Sequence, residues 1–68
     1  MSKTLEELGY KVSIKDKDLT RYKRAYSRIS FWNSEKVVSC YNTQNEFKYI
    51  SMEELKAIYK WCEDNKWI

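Results

Sequence analysis

Arg21, Lys23, Arg24 and Arg28 fall within one short stretch, RYKRAYSRISFW, that also holds Tyr22, Tyr26, Phe31 and Trp32. No acid interrupts the chain from Leu19 to Ser34. Cations interleaved with rings support a definite chemistry. Guanidinium and ammonium groups follow phosphates or carboxylates, and rings supply stacking area or interface anchors. The same composition also suits an ordinary strand, because Tyr and Trp pack well on a pleated surface and arginine stems cover rings on a solvated face.

Other chemistries find little material. The chain has no histidine, which removes the commonest general base and metal ligand. Two widely separated cysteines do not make a zinc set. A single glycine excludes a glycine-rich phosphate loop. The acid pairs Asp16/Asp18, Glu53/Glu54 and Glu63/Asp64 read as a solvated turn, a helix start and a helix end. Cys40 and Cys62 fall on expected inner faces and read as small buried hydrophobes, a single bridge being the alternative. No catalytic residue, metal ligand or cofactor is therefore expected, and the chain does not read as an enzyme.

The elements that must position the cations are visible in the patterning. Ser51 and Glu54 form a capping box, with Ile50 and Leu55 placed for the accompanying hydrophobic staple. A helix is predicted over 52–64, its inner stripe formed by Met52, Leu55, Ile58, Tyr59 and Cys62 and its outer face by Glu53, Lys56, Ala57, Lys60 and Asp64. Trp61 lies at the stripe's edge. RISFW and VVSCY flank the polar NSEK and predict a hairpin. Phe31 should face Val38 and Ile29 should face Cys40 on one apolar side, while Arg28, Ser30, Trp32, Val37, Ser39 and Tyr41 share the other. A third strand, of open register, is expected around 19–26, with Arg21 and Lys23 pointing away from Tyr22 and Arg24. YKVSI reads as a short edge strand carrying Tyr10, Val12 and Ile14 on one side, with KDKD a solvated turn after it. Thr4, Glu7 and Gly9 predict a short N-terminal helix.

These readings sum to one α+β domain over residues 1–68. A small antiparallel sheet of three to four strands packs one face on a C-terminal helix, with a short N-terminal helix at an edge. At 68 residues the core is small, yet an aromatic content of 16% and the absence of proline speak for a folded chain. The net charge of +3 is compatible with nucleic acid without demanding it. No apolar run is long enough to span a bilayer, no membrane association is expected, and the chain is expected in the cytoplasm.

The chain resembles the short uncharacterised open reading frames of phages and prophages of Gram-positive bacteria. The likeness rests on ELGY near the start, a tyrosine-bearing strand, the two-strand hairpin, and ISMEELKAI followed by a terminal tryptophan. It implies a small non-catalytic accessory protein in the cytoplasm of a bacterial host. Such products work by binding: some block host enzymes or defence nucleases, and others bind nucleic acid. The chain departs from the strongly acidic DNA mimics among them, and the resemblance assigns no functional residue.

The functional expectation is a binding module for a protein or nucleoprotein complex, with Arg21, Lys23, Arg24 and Arg28 as electrostatic contacts and Trp32 and Tyr41 as anchors. An alternative is direct binding of single-stranded nucleic acid by the same surface. A third reading is a homodimer closed by Trp32, Val37 and Tyr41.

Overall fold

A computed structural model describes residues 3–44 and 49–68. Four strands, β1 (Lys11–Lys15), β2 (Leu19–Arg24), β3 (Ser27–Trp32) and β4 (Val37–Asn42), precede one helix, α1 (Met52–Asp64). The strands form an antiparallel meander in the order β1-β2-β3-β4. The hairpin register follows the sequence expectation, with Phe31 opposite Val38 and Ile29 opposite Cys40.

Local chemistry fixes the turns. Ala25 and Tyr26 join β2 to β3, and Ala25 takes a φ of 52°. That left-handed backbone carries a steric cost for a residue with a Cβ. In the β3–β4 turn Lys36 has a φ of 55°, and its N–H donates to the Trp32 carbonyl at 2.8 Å. The β1–β2 turn docks on the β3–β4 turn, since the Asn33 N–H donates to the Asp18 carbonyl at 2.8 Å.

Strand β1 departs from the expected alternation. Its register shifts between Val12 and Ile14, so that Val12 stands opposite Tyr22 while Ile14 stands opposite Arg21. The bulge sends these two side chains to different faces of the sheet. The short N-terminal helix does not form. Residues 5–9 make hydrogen-bonded turns, although the reciprocal Thr4–Glu7 bonds of a capping box are present at 2.9 and 3.2 Å. Gly9, at φ 97°, turns the chain into β1 before a further helical turn can be added.

Helix α1 has the expected limits and the complete Ser51–Glu54 capping box. Its phase differs from the expected one. Ala57 and Ile58 are buried, and Trp61 and Cys62 pack on the core, whereas Met52, Leu55 and Tyr59 are exposed at 65%, 49% and 57%. The buried stripe is thus rotated by roughly 80° at 3.6 residues per turn. Trp61 sets this phase. Its ring stacks on Phe31 with centroids 3.7 Å apart, and its Nε1–H donates to the Tyr22 hydroxyl at 3.2 Å. Beyond the helix the chain folds back. The Lys66 N–H donates to the Glu63 carbonyl and the Trp67 N–H to the Cys62 carbonyl, with Lys66 at φ 59°, in the pattern of a Schellman C-cap. Trp67 thereby meets Trp61 edge to face at 5.1 Å. The core comprises Leu5, Tyr10, Tyr22, Ile29, Phe31, Ala57 and Ile58. Among the described residues no helix is long and apolar enough to cross a membrane.

Candidate binding face

Alternation along the strands and the observed registers sort the sheet into two faces. The inner face holds Tyr22, Ile29 and Phe31, the strand residues of the core. The outer face is organised in three rows across the strands. The first runs Lys11–Lys23–Arg28–Tyr41, the second Ile14–Arg21–Ser30–Ser39, and the third Leu19–Trp32–Val37. None of these positions is acidic. The nearest acids in sequence, Asp16, Asp18 and Glu35, sit in the turns beside the apolar row. The face is therefore cationic at the end of the β2–β3 turn and apolar at the other.

The cationic row carries the main physical signal. Lys11 stands directly opposite Lys23, and Lys23 directly opposite Arg28. Like charges in direct cross-strand register destabilise a sheet, whereas an opposite charge at the central position would stabilise it. Folding alone gives no reason to place three cations side by side on adjacent strands.

The six residues singled out from sequence do not all share this face. Arg21, Lys23, Arg28, Trp32 and Tyr41 do. The Arg21 Nε–H donates to Ser30 Oγ at 2.9 Å, and its guanidinium lies 5.9 Å from the centre of the Tyr41 ring. Ser30 is fully buried as a result, although it points outward. Arg28 donates through Nη1 to the carbonyls of Ala25 at 2.7 Å and Ser27 at 3.0 Å, which pins it over the hairpin turn. Trp32 and Tyr41 are half-buried within their rows, so the anchors are less exposed than the sequence implied.

Arg24 belongs to the inner side. Its guanidinium lies 4.6 Å from the Tyr10 ring centre, donates to the Leu8 carbonyl at 2.8 Å and approaches Glu54 at 3.7 Å. The Tyr10 hydroxyl donates to the same Glu54 carboxylate. Burial pushes the Tyr10 phenol up to about 12, with the adjacent carboxylate adding to the effect. Burial also pushes Glu54 upward. The Tyr10 hydroxyl, the Ser51 cap and Arg24 outweigh it and hold that carboxyl below its ordinary value. This clasp ties the N-terminal turn, β2 and the start of α1 together.

Lys11 was missed by sequence reasoning. It sits beside Lys23 only because of the β1–β2 register, which a bulge interrupts. Cys40 and Cys62 are half-buried, and burial raises the Cys62 thiol above its ordinary value. Among the described residues no group of His, Cys, Asp or Glu is placed to hold a metal ion. Comparison with protein-family models, curated proteins and solved structures returned no match to this chain.

Proposed function

We propose that the protein is a small non-catalytic binding module that docks its outer sheet face on an anionic partner, a protein or nucleoprotein complex. The observation that carries this reading is the Lys11–Lys23–Arg28 row, a placement that opposes sheet stability and that an anionic partner would relieve. The contacts of Phe31 and Tyr22 with Trp61 support α1 as the cover of the inner face, which leaves the outer face for the partner. Leu19, Trp32 and Val37 add an apolar end to the same face, and a tryptophan beside aliphatic groups with arginine close by is the composition of an interface hot spot. Trp32 and Tyr41 are separated by four positions along β3, roughly 13 Å, too far for neighbouring bases to stack on both rings. This spacing favours a protein or nucleoprotein surface over a bare strand lying along the whole face. An accessory role in a phage, directed at a host protein such as a defence nuclease, fits a module of this size and charge.

The test is affinity capture from a host lysate with the native protein and with the Lys23→Glu/Arg28→Glu double variant, each with and without nuclease. The native protein should retain a partner that the folded double variant loses. Retention of the same partner by both would overturn the reading. Retention of nothing but a second copy of the chain would instead support a homodimer closed by Trp32, Val37 and Tyr41.

A further inference from the structure

At the end of the sheet where β2 turns into β3, two concavities open side by side and share Arg24 and Arg28. The first, about 310 Å³, is lined by Gly9, Lys11, Lys23, Arg24, Ala25 and Arg28. Every charged side chain in it is a cation. The second, about 220 Å³, lies on the inner side of the same two arginines, where Tyr10, Ile29, Cys40 and Ile50 line it. Glu54 also lines the second, and its carboxylate, 3.7 Å from the Arg24 guanidinium, takes up the charge of that arginine.

We propose that this end of the sheet is a nucleotide site that takes one unit of a single-stranded nucleic acid. The phosphate oxyanion sits among Lys11, Lys23 and Arg28, and the attached base lies against Tyr41 at the end of the same row. The inference rests on the binding-module reading and names the group recognised at the cationic end of its face. Three features carry it. The charge in the first concavity is of one sign. Tyr41 stands opposite Arg28 at the end of the cationic row, a ring on which a planar base can stack. Arg28 is held in advance by the backbone carbonyls of Ala25 at 2.7 Å and Ser27 at 3.0 Å, so little side-chain freedom is lost on binding. A carboxylate on a protein surface would satisfy the cations but would bring nothing to stack on the Tyr41 ring.

The test is fluorescence anisotropy with a short labelled oligothymidylate, competed by thymidine monophosphate and by polyglutamate, with amide shifts followed by NMR. The strand should bind, and log affinity should fall linearly with log salt. Lys11→Ala and Arg28→Ala should each lower that slope, by at most about 0.7, the value for the one phosphate held there. Tyr41→Leu should weaken the strand by roughly tenfold, as the loss of one stacked base does. Amide shifts should centre on Gly9, Lys23, Ala25, Arg28 and Asn42. Displacement by thymidine monophosphate would assign recognition to a single nucleotide, and its failure to displace would assign it to the chain of phosphates. Binding of polyglutamate as tight as that of the strand, or an unchanged salt slope in variants whose unfolding matches the native protein, would overturn the nucleotide site. If oligothymidylate fails while a lysate partner is still lost with Lys23→Glu/Arg28→Glu, the binding module stands and the nucleotide site falls.

Discussion

The two faces of the sheet treat arginine in opposite ways. On the inner side Arg24 covers the Tyr10 ring and approaches the Glu54 carboxylate, so its charge is matched within the fold. On the outer side, among the described residues, Arg21 meets a serine hydroxyl and a tyrosine ring, and Arg28 meets backbone carbonyls. Those neutral partners orient the guanidinium groups without cancelling their charge. Lys11 and Lys23 add two more cations to the same side, in direct register with Arg28. The inner face thus spends its polar groups on folding. The outer face keeps its charge available, at some cost to the sheet.

Substitutions should separate the faces sharply. Phe31→Ala removes a fully buried ring stacked on Trp61, and unfolding in denaturant should register a loss of about 3–5 kcal/mol, enough to unfold a chain of this size. Trp32→Ala, one residue along on the other face, should cost far less stability but about 2 kcal/mol or more of partner binding, read by titration calorimetry. A Trp32→Ala variant that melts like Phe31→Ala would place Trp32 in the core and erase the distinction.

The clasp at Arg24 gives the inner face a pH signature. The Glu54 carboxyl is depressed in the folded state, so its contribution is present above the ordinary glutamate value of 4.5 and is lost as pH falls below it. Tyr10 is raised from 10.0 to about 12, so its contribution is present below pH 10 and is lost as pH climbs through that interval. Thermal unfolding followed against pH should show both flanks. A Glu54→Gln variant should flatten the acidic one.

On helix α1 a smaller effect discriminates between the observed and the expected phase. Leu55→Ala should lower stability only slightly, because Leu55 is 49% exposed. Ala57→Leu should cost about 1–3 kcal/mol by overpacking a buried position. The reverse ranking in denaturant melts would return Leu55 to the core.

That reversal shows where the sequence was legible. The β3–β4 hairpin could be read because its alternation is uninterrupted and its turn is polar, and both pairings, Phe31 with Val38 and Ile29 with Cys40, follow from it. The limits of α1 could be read because Ser51 and Glu54 mark the start chemically. Its phase could not. Periodicity weights Met52, Leu55 and Tyr59 by hydrophobicity, whereas the packing is decided by where Trp61 meets Phe31 and by how closely Ala57 lets the helix approach. The fold-back of Trp67 left no trace either, since Lys66 occupies the left-handed position where glycine would have signalled it. The same limits apply to the candidate face. Alternation groups Arg28, Trp32 and Tyr41 and separates Arg21 and Lys23 from Arg24, but with the register of β2 open it left Arg24 among the site residues, and the bulge in β1 hid Lys11.

The central claim is that the cationic row opposes the fold and serves a partner. Lys23→Glu tests it most directly, because it places a carboxylate between Lys11 and Arg28 without touching the core. The unfolding free energy and the affinity for the captured partner would be measured on the same protein. The account predicts a gain of about 0.2–1 kcal/mol in stability, screened by salt, together with loss of binding. A variant that is less stable than the native protein, or that binds as well as it does, would contradict the claim.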